Sequence, residues 1–205
     1  MICALMTSCK PRLEKGYTQK AIDSLKDQVE KVYVTLSRDE LKDYDPALKN
    51  CEVLWVDKDY KSFKKLLPIL YFNLNNDLVL TCDDDVEYAP DYVHTKIEEL
   101  GGYDVHSSGF GGILGPFTIY RSKIFTDKYF NAIDDEVIAT CMDDPFIDHY
   151  VKSVTKLCKF GNVADNWKFY NAKPLDTTSV NNSNYTTDNW NKINKLGAER
   201  FETER

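Results

Sequence analysis

The sequence predicts an α/β fold in which a mostly parallel central sheet is flanked by helices and followed by an irregular C-terminal part. The first observation is that short apolar, β-branched runs alternate with segments of helical period through residues 1–100. The second is that the fourth apolar run ends in three consecutive aspartates. A chain of 205 residues with 42% hydrophobic residues is also long enough to bury a substantial core.

Four apolar runs are predicted to be strands of that sheet. They comprise residues 2–6, 31–36, 52–56 and 78–82. Between the first two, apolar side chains recur at helical spacing from Tyr17 to Val29. Between the third and fourth, a second apolar stripe runs from Phe63 to Tyr71, and Pro68 within it predicts a kink or a late helix start. Residues 37–50 are predicted to be a polar loop.

The second half of the chain is less regular. Helices are predicted over residues 90–100 and from Asp143 to about Val154, where the apolar residues share one face. Residues 113–120 and 157–160 are predicted strands. From Asn162 the periodicity is weak, so we expect a long loop, a short helix near 189–196 and a charged linker over 197–205. One domain is expected, with a nucleotide-binding half over about 1–100 and a sugar-binding half over about 101–205.

The net charge and the cysteines limit the classes of function. A net charge of -7 argues against nucleic acid as a main partner, because phosphate backbones need Lys and Arg surfaces. The six cysteines form no CxxC pair, so a zinc site is not expected. Most of them lie in apolar runs, which favours free thiols and a cytoplasmic, reducing location. The first residues are too short for a signal peptide or a membrane span.

The aspartate run Asp83-Asp84-Asp85 is the strongest functional signal. Unpaired charge is too costly to bury, so these side chains are not expected in the core. They follow a strand, and open α/β sheets bind ligands beyond the carboxyl ends of their strands. Carboxylate oxygens suit Mg²⁺ or Mn²⁺, which bind proteins through one or two carboxylates and complete their shell with substrate phosphates. The alternative is an acidic turn without a metal.

The ordered motifs resemble those of GT-A glycosyltransferases, which use nucleoside-diphosphate sugars and carry a DxD motif after the fourth strand. Here Asp83-Asp84-Asp85 occupies that place. The flanking segments Lys64–Pro68 and Val86–Tyr92, the Gly109–Gly112 segment and Asp143-Asp144 are similar to those of a bacterial and viral subgroup. The resemblance covers residues 2 to about 155. It implies a metal-dependent transferase, a UDP-sugar donor and a glycan or glycoprotein acceptor, such as a viral capsid glycan.

The resemblance also implies roles for individual residues. Asp85 would bind the metal directly, Asp83 would contact the ribose or the metal shell, and Asp84 would assist in donor binding. Four strand-end residues would hold the base and ribose: Thr7, Ser8, Arg12 and Asp57. Lys65 would add positive charge near the diphosphate, although it also fits a solvated helix lysine.

Asp143 and Asp144 are candidate catalytic residues. In an inverting enzyme a carboxylate here would be the general base for the acceptor hydroxyl. In a retaining enzyme the pair would contact the donor sugar or support an ion-pair intermediate. A purely structural alternative is that Asp144 caps the helix and Pro145 occupies its first position. His106 and His149 are expected to pack in the fold or to face solvent. Trp167 and Trp190 could stack on a sugar ring, although core packing is the expectation.

Three other classes of protein are alternatives: a sugar nucleotidyltransferase, a DxD phosphatase and a carbohydrate- or calcium-binding module without catalysis. A sugar nucleotidyltransferase would need a glycine-rich loop after the first strand, where this chain has Thr7 to Arg12 without glycine. A DxD phosphatase would carry its aspartates after the first strand, not the fourth. An EF-hand would need glycine at the position of Tyr88. A non-catalytic sugar- or nucleotide-binding module stays compatible with the sequence.

Overall fold

The computed structural model describes residues 1–108, 114–115, 117–161, 172–175 and 186–201. In the first half the elements are β1 (Ile2–Thr7), α1 (Lys10–Glu14), α2 (Tyr17–Leu25), β2 (Lys31–Ser37), α3 (Arg38–Leu41), β3 (Glu52–Val56), α4 (Leu67–Tyr71), β4 (Leu78–Thr81), β5 (Val86–Tyr88) and α5 (Tyr92–Leu100). In the second half they are β6 (Val105–Ser107), β7 (Thr118–Arg121), α6 (Asp127–Asn131), α7 (Asp135–Ile138), α8 (Asp143–Val154), β8 (Cys158–Phe160), β9 (Ala172–Pro174) and α9 (Thr187–Phe201).

The predicted mostly parallel sheet is confirmed. Seven strands pair in the order β3-β2-β1-β4-β7-β6-β8. The pairs β1·β2, β2·β3, β1·β4 and β6·β8 are parallel, whereas β7 runs antiparallel to both of its neighbours. Strands β5 and β9 form a separate antiparallel pair beside the sheet. β5 follows the aspartate run directly, so this small sheet lies next to the candidate site.

Each face of the sheet carries its own buried core because successive residues of a strand point to opposite faces. In β1, Ala4 and Met6 pack with the apolar sides of α1, α2 and α5. Cys3 and Leu5 point the other way and pack with residues of α4 and α6 to α9. The helices therefore flank the sheet on both sides, as the sequence predicts.

The strands β1 to β4 agree closely with their predicted ranges, and the late helix start at Pro68 is confirmed. Residues Lys61–Leu66 form a 3₁₀ segment, and α4 begins only at Leu67, with the proline in its first turn. Proline is accepted there because the first N–H groups of a helix have no internal partner. The polar loop predicted over 37–50 contains the short helix α3.

The C-terminal helix is longer than predicted, and the linker predicted over 197–205 is wrong in its first part. Helix α9 extends to Phe201, which is buried against Phe146 and Tyr150 of α8. Gly197 faces the His149 ring so closely that a Cβ there would lie 2.5 Å from it. The sequence pattern is weak here because α9 buries only a narrow stripe. Gly109–Gly112, Trp167 and most of the predicted loop after Asn162 lie outside the described residues.

All six cysteines are free thiols. Among the described helices, none combines the length and the apolar composition needed to span a bilayer.

Candidate active site

The register of the sheet brings the residues after β1 and β4 together. Leu5 lies opposite Thr81 in the parallel pair, so the segments that follow both strands leave the sheet side by side. This places Ser8 and Arg12 against the aspartate run. Arg12 lies in α1, whose first turn contains Pro11. The carboxyl edge of the sheet therefore carries both acidic and basic side chains.

Asp84 is buried, contrary to the expectation that all three aspartates avoid the core. Its side chain accepts hydrogen bonds from the Ser8 hydroxyl and from Arg12 Nη1, the latter at 2.5 Å. Asp84 is only 1% exposed. Burial raises the pKa of this carboxyl, and the opposing effects of Arg12 and Ser8 do not cancel it. The expectation fails because a buried carboxylate is tolerated when a cation and a hydroxyl pair with it.

The two outer aspartates are more accessible. Asp83 is paired with Lys65, whose Nζ lies 3.0 Å from its carboxylate. Asp85 lies 2.8 Å from Arg12 Nη2. Burial, together with the charges of Asp83 and Asp84, raises the pKa of Asp85 to about 6 despite Arg12. The backbone of Asp83 is held by the buried Tyr88, whose hydroxyl accepts from its N–H at 2.7 Å and donates to its carbonyl at 3.1 Å.

Lys65 connects the aspartate run with the acidic start of α8. Its side chain is buried, which by itself would lower its pKa. The carboxylates of Asp83, Asp143 and Asp144 outweigh that effect, and the pKa of Lys65 is raised well above its usual value. The predicted alternative of a solvated helix lysine is therefore wrong.

Asp143 and Asp144 are the first two residues of α8, and the N-cap is Met142. The structural alternative for Asp144 as the N-cap is therefore wrong, and Pro145 is the third helical residue instead of the first. Burial raises the pKa of Asp144 well above its usual value, and the neighbouring Asp143 raises it further, against the effect of Lys65. Such a carboxyl holds a proton more tightly than an ordinary aspartate does.

We call this group the rim cluster. It consists of Arg12, Lys65, Asp83, Asp84, Asp85, Asp143 and Asp144. It contains five carboxylates and two cations. Burial is the main reason why Asp85 and Asp144 have raised pKa values, and the other carboxylates of the cluster raise them further.

A cavity of about 390 Å³ opens beside the rim cluster. Of the residues predicted to hold a base and ribose, Thr7, Ser8 and Arg12 line it. The Nε atom of Arg12 is buried and has no hydrogen-bond partner among the described residues. Asp57 is not among the lining residues that the structure describes; its side chain is 98% exposed and lies 3.8 Å from Arg38.

Sequence reasoning missed a second set of residues that line this cavity. Lys64 is buried and donates to Glu40 at 3.0 Å and to Asp59 at 2.9 Å. Burial opposes ionisation of Asp59, but the bonds from Lys61 and Lys64 prevail and lower its pKa. The only signal in the sequence is the alternation of Asp59, Lys61 and Lys64, which equally suits an exposed turn. Their convergence depends on the 3₁₀ segment.

The donor atoms of the site decide whether it can hold a divalent cation. Asp83 and Asp85 offer hard carboxylate oxygens, and a cation would stabilise the charged form of Asp85, which burial and the neighbouring carboxylates disfavour. The described residues contain no group of three or more His, Cys, Asp or Glu side chains arranged to hold a metal. The donor set therefore fits an ion that takes part of its shell from a bound diphosphate, as Mg²⁺ and Mn²⁺ do.

No protein-family model matches this chain, and no curated protein is significantly similar to it in sequence. Among solved structures, the chain is similar to the galactosyltransferase LgtC in complex with donor and acceptor sugar analogues. The two share 14% sequence identity over 95% of this chain and 83% of that chain, with a TM-score of 0.42. At this level of similarity, the residues of one protein cannot be transferred to the other position by position.

Proposed function

We propose that this protein is a metal-dependent glycosyltransferase that moves a sugar from a nucleoside-diphosphate sugar, UDP being the expected nucleotide, to a glycan or glycoprotein acceptor. The observation that carries the proposal is the rim cluster, which meets at Arg12 a cavity lined by hydroxyls, by the cations Lys61 and Lys64 and by the carboxylates Glu40 and Asp59. That combination suits a ligand with a neutral nucleoside and a charged diphosphate. It also stands at the carboxyl edge of the parallel strands, where α/β proteins bind nucleotides.

In this proposal Thr7, Ser8 and Arg12 contact the nucleoside part of the donor. Asp83 and Asp85 would hold Mn²⁺ or Mg²⁺ against the diphosphate, with Asp84 keeping Arg12 in place. The ion would supply Lewis-acid stabilisation of the charge that develops on the leaving diphosphate. Lys65 adds a second positive charge on the same side, because its Nζ lies within hydrogen-bond distance of Asp83.

Asp144 is the proposed general base. Its raised pKa suits a group that accepts a proton from an acceptor hydroxyl as the new glycosidic bond forms. Asp143 raises the proton affinity of Asp144 through its own charge. This assignment applies to an inverting reaction, and in a retaining reaction the same pair would stabilise the positive charge that develops on the donor sugar.

The decisive experiment measures release of nucleoside diphosphate from a panel of UDP-, GDP- and dTDP-sugars with and without Mn²⁺. Metal-dependent release from at least one donor is expected. Absence of turnover with every donor, combined with tight nucleotide binding, would favour the non-catalytic binding module. Formation of a sugar nucleotide from a sugar phosphate and a nucleoside triphosphate would instead favour the nucleotidyltransferase.

Substitution of the proposed metal ligand provides the matched test. Asp85→Ala should weaken Mn²⁺-dependent binding of UDP at least about 10-fold, because one of the two proposed carboxylate ligands is lost. The fold should be retained, since Asp84 still pairs with Arg12. Glu87→Ala, an exposed carboxylate two residues away, is the control and should bind UDP normally. Calorimetric titration with and without Mn²⁺ measures both, and unchanged binding by Asp85→Ala refutes its role.

A further inference from the structure

A second cavity, of about 340 Å³, lies at the junction of α8 and α9. The described residues that line it are Met142, Thr186, Thr187 and Trp190. Met142 directly precedes Asp143. Cys141, one residue earlier, lines the cavity of about 390 Å³ beside the rim cluster. Two consecutive residues therefore face two different cavities. Cys141 and Met142 lie between the cavity of the proposed donor site and this second cavity.

Trp190 lies on the buried side of α9 but is itself only partly covered. It lies on the same stripe of α9 as Ile193, Gly197 and Phe201, all of which are buried. Trp190 nevertheless remains 36% exposed. Core packing, which the sequence suggests for it, therefore leaves much of the indole uncovered, and that uncovered part borders the cavity.

The chemistry of the described lining limits what can bind there. It contains neither a carboxylate for a metal nor a Lys or Arg for a phosphate. It does contain an aromatic ring, a thioether and two hydroxyls. Thr186 accepts a hydrogen bond from Asn189 N–H at 3.1 Å, which leaves its hydroxyl proton for another acceptor. A pyranose ring matches this lining, because one face is formed by C–H groups and its edge carries hydroxyls.

We propose that Trp190 is the platform on which the acceptor sugar stacks, with Thr186 and Thr187 binding its hydroxyls. This inference rests on the proposed glycosyltransferase function and extends it to the acceptor side of the reaction. The sugar is held next to Met142, one residue from the acidic pair at the start of α8. The proposed general base, Asp144, follows Met142 by two residues, which sets the acceptor sugar and this carboxylate at the same end of α8. Trp190 itself is a binding residue.

The test measures sugar binding without donor or metal, so that its outcome is independent of turnover. Methyl pyranosides of glucose, galactose, mannose, xylose, fucose and rhamnose are titrated against the full chain, with detection by saturation-transfer NMR and tryptophan fluorescence. At least one should bind, with a Kd in the millimolar range. Trp190→Ala should weaken that binding at least 10-fold, whereas Trp190→Phe keeps an aromatic face and should weaken it less than 3-fold.

Three controls make the result decisive. Trp55→Phe removes an indole on the edge strand β3, which packs against Arg38 and is not among the described residues lining this cavity, and it should leave both binding and fluorescence quenching intact. Thr187→Val keeps the shape of the side chain and should weaken binding about 3-fold. UDP binding with Mn²⁺ should be the same in wild type and in Trp190→Phe. Thermal melts verify that each variant is folded.

Each outcome decides the proposal. Sugar binding that depends on Trp190 supports it even if no donor is turned over, in which case only the transferase function fails. Failure of all six pyranosides to bind the wild type overturns it, as does binding that Trp190→Phe and Trp190→Ala leave equally intact. Loss of donor-sugar hydrolysis in Trp190→Phe without any change in acceptor KM would assign the ring to the donor instead, and would also overturn it.

Discussion

Two buried ionic groups in this protein differ in their balance of charge. The rim cluster contains five carboxylates and two cations and lies beside an open cavity. The second group, which we call the β6 cluster, consists of Lys96, Glu99, His106 and Ser108. There Lys96 Nζ lies 2.9 Å from the Glu99 carboxylate and 2.5 Å from the Ser108 hydroxyl, and His106 Nδ1 lies 3.2 Å from the same carboxylate.

Burial disfavours the charged forms in both clusters, so it lowers the pKa values of bases and raises those of acids. In the β6 cluster burial lowers the pKa of Lys96 and lowers that of His106 to about 4, and the Glu99 carboxylate opposes both shifts. In the rim cluster burial raises the pKa values of Asp85 and Asp144, and neighbouring carboxylates raise them further against Arg12 and Lys65. An excess of buried like charge is costly unless a ligand compensates it, and this difference is why we propose the function at the rim.

The largest expected effect is on turnover by Asp144→Asn. Loss of a general base should reduce kcat by about 10²–10⁴-fold. Stability should be unchanged or higher, because the raised pKa of Asp144 shows that its negative charge is unfavourable in the folded state. Steady-state kinetics with the preferred donor and urea unfolding at pH 7.5 measure the two effects.

Asp148→Asn is the matched control for that variant. Asp148 lies one helical turn further along α8, is buried, and accepts from Lys152 at 2.7 Å and from the Leu114 N–H at 3.3 Å. The Asp148→Asn variant should be less stable than the wild type but should keep the same turnover per folded molecule. A lowered melting temperature with normal turnover in Asp144→Asn would reverse the two assignments.

The next effect concerns stability in the β6 cluster. Lys96→Met keeps much of the side-chain length but removes the two hydrogen bonds of Lys96 to Glu99 and Ser108, which should lower the free energy of unfolding by about 3 kcal/mol. UDP binding should not change, since no described contact links Lys96 to the rim cluster or to the lining of its cavity. Lys195→Met removes the Lys195–Glu199 ion pair, which is exposed on both sides, and should change stability by less than about 0.5 kcal/mol. Equal losses in both variants would show that burial of the pair does not matter.

The sequence predicts the first half of the fold better than the second for a physical reason. Strands β1 to β4 are short apolar runs buried between two helical layers, so their signal is local and strong. The three-residue strands β5 and β9 and the short helices α6 and α7 carry no period that can be recognised over so few residues. The C-terminal helix α9 is polar over most of its surface, so its apolar period is weak. Its full length could be recognised only from its packing against α8.

The site was partly predictable for a similar reason. The aspartate run and the hydroxyl and basic residues after β1 are recognisable because strand ends can be located. The residues that pair with them and shift their pKa values cannot be recognised from the sequence, because such partners lie far apart in the chain. Arg12 and Asp84, for example, are 72 residues apart. The burial of Asp84 and of Lys65, and the convergence of Glu40, Asp59 and Lys64, are consequences of tertiary packing that no local pattern encodes.

The smallest expected effect tests the β6 cluster by pH. Because the pKa of His106 is about 4 in the folded protein and about 6.5 when unfolded, the unfolded chain binds more protons between these values. The stability that this residue contributes is therefore complete above pH 6.5 and is lost as the pH falls toward 4. Between pH 7 and pH 5 the loss should be about 2 kcal/mol.

Urea unfolding of the wild type and of His106→Asn at several pH values isolates this contribution. Glu99, Lys96 and Lys159 surround His106 and are present in both proteins, so their own pH dependence is largely cancelled in the difference. The wild type should lose about 2 kcal/mol more than His106→Asn between pH 7 and pH 5. Parallel stability curves would mean that His106 takes up its proton in the folded state as easily as in the unfolded chain. The β6 cluster would then not be the closed, balanced group that distinguishes it from the rim.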